Sequence, residues 1–218
     1  MNRDLLDAVL AATRKRQAIA VVTDLVTGAQ TIAVRDGTNA ALEKAFRFDK
    51  SGVEGDRFVQ VHNPPLRLVI TGAVLIAQAL IPMAQAAGYD IWVIDPRGAF
   101  ATGERFPGVA LHAEWPDEII PKIGLDAHTA FMAQTHDPKI DDRALELALQ
   151  SDAFYIGALG SKKTQGSRQE RLTSKGFTAS DISRINGPIG LDIGAVGGAE
   201  IAISIMAAMT RTLRLGVL

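Results

Sequence analysis

Four clusters in the chain carry residue types suited to chemistry. The first, Gly72-Ala73-Val74-Leu75-Ile76-Ala77, has small residues at the first and third glycine positions of the turn that cradles a dinucleotide pyrophosphate. Val74 stands at the middle position, where glycine normally lets the backbone approach phosphate. Asp95 follows 23 residues after Gly72, near the spacing of an acid that bonds a ribose hydroxyl, and Arg97 lies two residues beyond it. An ordinary strand-to-helix turn with a strand-end acid gives the same pattern. The second cluster is Thr135-His136-Asp137-Pro138 with Asp141 and Asp142. His136 beside Asp137 could move a proton or orient a ligand, while Asp137 before Pro138 also reads as a helix N-cap with proline at the first helical position.

The third cluster, Gly157-Ala158-Leu159-Gly160-Ser161-Lys162-Lys163-Thr164, places glycines before Ser161 and two lysines at a helix start, a composition suited to an anion. Its spacing is not that of a P-loop. Ser161 to Arg184 carries six basic residues against two acids, whereas Leu111 to Asp152 carries nine acids against three bases, so charge is polarised along the chain. The fourth cluster, Gly187 to Ala195, surrounds Asp192 with three glycines and Pro188 and is built for close backbone approach. Asp192 could cap the following helix. Glu200, among Ile201, Ile203 and Ile205, calls for a partner, with Arg168 or Arg171 as the candidates. His62, His112 and His128 lack ligand-spaced partners, so no histidine metal site is expected.

The elements that must position these clusters alternate. LRLVIT, YDIWVID, GVALHAE, HTAFMAQ and AFYIGAL read as five buried strands, each followed by a helical or loop-helix segment; this predicts a parallel doubly wound sheet with ligands at the strands' carboxyl ends. Thr178 and Asp181 form a capping-box pattern, and GGAEIAISIMAAMTRTLR reads as a last helix. Upstream, a helix ends near Arg16, AIAVVTDLVT and QTIAVR form a hairpin around Gly28, NAALEKAFRF is helical and DRFVQVH is a strand. His62-Asn63-Pro64-Pro65 marks the boundary, which divides residues 1–63, a small α+β domain, from residues 64–218.

Composition narrows the partners. The 218 residues suit one sizeable domain with a small companion, and 47% hydrophobic residues can bury a core. A formal net charge of −1 supplies no general field toward nucleic acid or membrane, so neither is an expected partner. The uncharged run from Leu68 to Tyr89 is long enough to span a bilayer, but Gly72, Gln78, Pro82 and Gln85 interrupt it, and it reads as a strand and a helix. The chain has no cysteine, hence no disulfide, thiolate ligand or cysteine nucleophile, and no export signal is visible; a cytoplasmic protein is expected.

From about Leu66 to Arg214 the residues resemble the Rossmann domain of the XdhC/CoxI family, accessory proteins for maturation of xanthine and carbon monoxide dehydrogenases. Asp95-Pro96-Arg97 with Phe100-Ala101-Thr102 and Glu104-Arg105-Phe106-Pro107, Thr135-His136-Asp137 with Asp141, Tyr155 to Ser161, and Pro188 to Ala195 with Glu200-Ile201-Ala202 carry the likeness. The resemblance implies an α/β protein with a Rossmann-like doubly wound sheet. It also implies an accessory, non-catalytic role in which molybdenum cofactor (a molybdopterin) is held, its sulfuration promoted, and the cofactor delivered to a molybdenum hydroxylase client. A sulfurase or a full-length relative is a further partner, and a homodimer is expected. Gly72, Ala73, Asp95, Arg97, His136, Gly157, Gly160, Ser161, Lys162, Lys163 and Asp192 are the residues expected to contact cofactor. Relatives commonly carry a Gly-Gly-Cys segment in a longer N-terminal domain and Gly-Ala-Gly-His at the first turn; this chain has neither. Two alternatives stand beside the accessory role. One is an NAD(P)-dependent oxidoreductase with His136 as proton donor, and the other is an interaction subunit that has lost its ligand.

Overall fold

The computed structural model describes residues 3–216, which form two compact units, one ending at Pro65 and the other beginning at Leu66. In the first, helix α1 (Arg3–Arg14) precedes the hairpin β1 (Ile19–Asp24) and β2 (Gln30–Val34), then helix α2 (Ala40–Phe48) and strands β3 (Gly52–Glu54) and β4 (Arg57–His62). The four strands form an antiparallel sheet in the order β2-β1-β4-β3. Helix α1 stops two residues before Arg16, whose φ of 52° cannot continue it. Alternation along β1 decides the packing: Ile19 and Val21 join Val9 and Ala12 of α1, whereas Ala18 and Ala20 join Phe46 of α2 and Val59 of β4. Strand β3 was not anticipated, because three residues are too few to show a period.

The second unit runs β5 (Arg67–Thr71), α3 (Leu75–Ala86), β6 (Asp90–Ile94), β7 (Ala110–His112), α4 (Pro116–Ile123), β8 (Thr129–Ala133), α5 (Pro138–Leu149), β9 (Tyr155–Ala158), α6 (Lys162–Ser174), α7 (Ala179–Ser183), β10 (Ile185–Asn186) and α8 (Gly198–Leu215). All six strands are parallel, in the order β10-β9-β8-β5-β6-β7. This is the doubly wound Rossmann order, and its switch point lies between β5 and β8. The sequence predicts five strands; the sixth, β10, is a two-residue pairing of Ile185 and Asn186 with β9. The residues between β6 and β7, expected to hold a short helix, run as turns.

Both faces of the sheet are covered, which is why its central strands read as unbroken apolar runs. Leu68 and Ile70 of β5, Ala130 and Met132 of β8 and Tyr155 of β9 pack with α3 and α8. Val69, Phe131, Ala133 and Ile156 point the other way, to α4, α5 and α6. Each such fully buried Leu, Ile or Phe contributes roughly 1.5–3 kcal/mol, so the paired cores anchor the strand ends that carry the clusters. No helix among the described residues is long and apolar enough to cross a membrane.

Candidate functional site

The carboxyl ends of β5, β6, β8 and β9 bring the first three clusters to one edge of the sheet. At the first turn Gly72 adopts φ 113°, and a Cβ there would lie 3.1 Å from backbone atoms of both Gln134 and Thr135. Only glycine lets this turn nestle against the end of β8. The Ala73 N–H donates to Asp95 Oδ2 at 2.8 Å. The same oxygen accepts from Arg97 Nη2 at 2.9 Å, and Oδ1 accepts from Arg97 N at 3.0 Å and Nε at 2.9 Å. Asp95 is wholly buried, and each of its oxygens takes two hydrogen bonds. A carboxylate so employed latches β6 to the first turn instead of presenting an oxygen to a ribose. Burial works to raise its carboxyl, but the Arg97 guanidinium and the two backbone N–H groups outweigh this and leave it below the usual range. Arg97 in turn lies over the Phe100 ring at 4.7 Å, and Arg105 approaches the same ring at 5.9 Å.

At the end of β8, Asp141 organises the second cluster. Its Oδ1 accepts from Thr135 N at 3.1 Å and Thr135 Oγ1 at 2.7 Å, and its Oδ2 accepts from His136 N at 3.1 Å. His136 is thereby held at φ 62° with its imidazole exposed, while Asp137 caps α5 by accepting from Lys139 N at 2.9 Å. The capping role of Asp137 is thus present beside an exposed His136. Arg168 Nη2 lies 3.8 Å from Asp141 Oδ2, and both side chains are buried. Burial moves each toward neutrality, raising the Asp141 carboxyl and lowering the Arg168 guanidinium, because removal from water outweighs an attraction over that separation. Two buried atoms at the switch point, Thr71 Oγ1 and Gln134 Oε1, make no hydrogen bond among the described residues.

The third cluster forms the turn from β9 into α6. Gly160 takes φ 131°, Ser161 is the N-cap, and its hydroxyl accepts from Thr164 N at 3.3 Å. Lys162 and Lys163 open the helix, exposed and without an ion pair among the described residues. Further along α6, Arg171 pairs with Asp142 at 2.5 and 3.0 Å and Lys175 pairs with Glu146, so the polarised charge of the sequence is neutralised there across α5 and α6. What remains uncompensated is the start of the helix. Gly157 faces inward: a Cβ there would meet Ile189 at 2.6 Å.

The glycine-rich fourth cluster serves close packing. Asn186 Oδ1 accepts from Tyr155 Oη and Gly190 N, both at 2.7 Å, and a Cβ on Gly190 would lie 2.2 Å from Ser204 Oγ. Asp192 is exposed and does not cap α8, which begins at the Gly197 N-cap. The expected pairing of Glu200 with Arg168 or Arg171 is not what forms. Its Oε2 accepts from Val196 N at 2.8 Å and Gly197 N at 3.1 Å, closing the start of its own helix, while the two arginines are engaged with Asp141 and Asp142. The starts of α3 and α8 lie side by side, a Cβ on Gly198 falling 4.0 Å from Ile76 Cγ1, and they carry Leu75 and Val196 at 76% and 88% exposure.

Sequence reasoning missed Thr71 and Gln134 as orphaned polar groups and gave no role to Asp141, Phe100 or Arg105. Asp141 lies four residues after the Asp137 cap, one helical turn on, and that spacing could have pointed to it. No group of three or more histidine, aspartate or glutamate side chains is arranged to hold a metal among the described residues.

Fold and site together define a Rossmann-type domain whose first turn is latched by Asp95 and whose turn from β9 into α6 carries Lys162 and Lys163 without an ion pair among the described residues. Residues 68–209 match the XdhC Rossmann domain family, and the chain belongs to it. It is 31% identical over 156 residues to a Bacillus subtilis (strain 168) protein named as a probable xanthine dehydrogenase subunit, covering 71% of this chain and 45% of that protein. Over 145 residues it is 29% identical to the molybdenum cofactor insertion chaperone PaoD of Escherichia coli (strain K12), covering 66% and 39%. The chain therefore spans less than half the length of these curated relatives. A crystal structure described as a xanthine dehydrogenase from Bacillus halodurans superposes with a TM-score of 0.71 at 24% identity, over 98% of this chain and 67% of that one, which establishes the likeness of fold.

Proposed function

We propose that this chain is an accessory protein in the maturation of a molybdenum hydroxylase of the xanthine or carbon monoxide dehydrogenase type, binding molybdenum cofactor and passing it to that client. Kinship with PaoD supports the cofactor class. The observation that carries the placement is the pair of unpaired lysines, Lys162 and Lys163, at the start of a helix entered through Gly160 and Ser161.

The donor set fits the cofactor's phosphate. A doubly charged phosphate gains from ammonium groups and from the free N–H groups of a helix N-terminus together. The first turn offers less, since the Ala73 N–H already serves Asp95 and Val74 adds bulk. Arg97, in the loop after β6, and the exposed His136, in the loop after β8, flank the switch point, where the buried Thr71 Oγ1 and Gln134 Oε1 have no hydrogen-bond partner among the described residues. When bound, the cofactor supplies the molybdenum centre that the client uses. The residues of this chain bind and orient it, and lacking cysteine they do so without a thiolate. Cytoplasmic client, sulfurase and full-length relative are all compatible docking partners for such a carrier.

The test is anaerobic incubation of the purified protein with molybdenum cofactor released from a donor enzyme, followed by gel filtration and molybdenum analysis. About one molybdenum per chain is expected, falling about tenfold in Lys162→Ala/Lys163→Ala. Absence of retained metal in the parent protein, or equal retention by the variant, overturns the reading.

A further inference from the structure

The first unit holds a groove that the family match, beginning at residue 68, does not reach. About 570 Å3 in volume, it lies between α2 and the edge strand β3. Val59, Ala41 and Ala45 line it, and two large apolar side chains beside it face solvent, Phe48 at 41% and Val53 at 63% exposure. Such a surface on a domain this small is costly unless something covers it. A second hollow of about 310 Å3 shares Glu54 and Val59 with the first and extends it toward Arg57.

Three observations specify the occupant. First, β3 is the outermost strand of its sheet and no further strand pairs with it among the described residues, so its outer backbone groups can accept another strand. Second, α2 has nine residues, about 13 Å of helix. That length accommodates roughly four residues of extended chain. Third, Lys44 and Lys50 line the groove and have no carboxylate partner among the described residues; with Arg57 they outnumber the one acid there, Glu54.

We infer that this groove binds an extended acidic segment of a partner protein, which lies along β3, places an apolar side chain over Val59 between Phe48 and Val53, and sets carboxylates against Lys44 and Lys50. Backbone pairing supplies affinity and the apolar hollow supplies register, while the lysines select acidic over basic sequences. The site lies in a different unit from the cofactor edge, so failure of either proposal leaves the other intact.

The probe is a fluorescein-labelled octapeptide alternating glutamate and leucine, with a lysine-leucine counterpart, titrated into the full chain by anisotropy and then, unlabelled, by amide chemical shifts. The acidic peptide is expected to bind saturably, to weaken about tenfold in Lys44→Glu/Lys50→Glu, and to shift amides of residues 40–59. A control with the same charge change elsewhere, Lys122→Glu/Lys139→Glu, should bind as the parent does, and matching thermal melts confirm that both variants fold. Equal binding of the lysine peptide, no saturation by about 1 mM, or shifts confined to other residues overturns the inference. Hexanoate alone reproducing all the peptide's shifts overturns it in favour of a small amphiphilic anion.

Discussion

Asp95→Asn tests the latch at the first turn. The substitution keeps the shape and removes the charge that four donors share, at 2.8 to 3.0 Å. An amide oxygen can serve one pair of donors, and its NH2 then faces the other pair. If it faces Ala73, a buried N–H is left without an acceptor, which costs about 1–3 kcal/mol. If it faces the backbone and Nε of Arg97, water recovers part of the loss, because that side chain is 33% exposed. In either orientation the surviving bonds lose their charge assistance, about 1 kcal/mol each. The expected loss is roughly 3 kcal/mol, or roughly 6–12 °C in Tm for a unit of this size. Both tryptophans, Trp92 and Trp115, lie in the second unit, so guanidinium unfolding followed by tryptophan fluorescence reports on that unit directly. The pH dependence separates charge from shape. With the folded carboxyl lowered, Asp95 stabilises above the unfolded value near 4, and that contribution is lost as pH falls through the lower folded value. The gap between parent and variant should therefore be widest at neutral pH and close below about pH 4. A deficit under about 1 kcal/mol at neutral pH, or one that does not change with pH, would refute the latch.

Gly72→Ala should cost about 2–4 kcal/mol, since φ 113° is strained for alanine and its Cβ meets two backbone atoms at 3.1 Å that cannot move aside; chemical denaturation measures it, and a loss under about 1 kcal/mol contradicts the close approach. Gly190→Ala meets Ser204 Oγ at 2.2 Å and Ile205 N at 3.1 Å, so a similar loss is expected by the same measurement, with Ser204→Gly recovering only part of it because the positive φ remains. Asp141→Asn should cost about 3 kcal/mol by stranding buried Arg168, whereas Asp141→Asn/Arg168→Met should lose less than the sum of the single changes. Additive losses in that double-mutant cycle would show that the pair does not interact. Burial raises the Asp141 carboxyl, so its own contribution to stability falls as pH rises through the range between the unfolded and folded values, opposite in sign to Asp95.

Apolar period and helix caps exposed most of the architecture to sequence reasoning. Strands β5, β8 and β9 are buried on both faces and so read as continuous apolar runs; Asp137 and Thr178 announce α5 and α7 by capping chemistry that acts over two or three residues. Strands β3 and β10 escaped because their short pairings depend on a neighbouring strand, a nonlocal property that local pattern does not contain. The same distinction runs through the site. That Asp95 and the first turn belong at one sheet edge follows from strand order, but which donors fill its oxygens depends on the rotamer of Arg97 and the approach of Ala73. Glu200 looked like a buried acid in need of a distant arginine because its flanking residues are apolar. At the third position of α8 its first obligation is to the unsatisfied N–H groups of its own helix, and it meets that by bonding Val196 and Gly197.

Two ways of satisfying backbone donors distinguish the first turn of this edge from the turn after β9. A dinucleotide fold leaves the N–H groups of its first turn open for pyrophosphate, and glycine at the middle position keeps side chains out of the way. Here Asp95 consumes the Ala73 N–H, its charge is already balanced by Arg97, and Val74 stands at the position that glycine holds in such a turn. The first turn has thereby become a structural joint between β5 and β6. At the fifth strand the accounting is reversed: Ser161 serves only Thr164, the carbonyls of Ala158 and Gly160 are taken by Gln165, and Lys162 and Lys163 have no acid to face. An anion arriving at this edge meets a neutral latch at one turn and two uncompensated cations at the other. Charge reversal at Lys162 and Lys163 should therefore abolish phosphate-dependent binding, while Asp95→Asn, for all its cost in stability, should leave that binding nearly unchanged below the melting temperature.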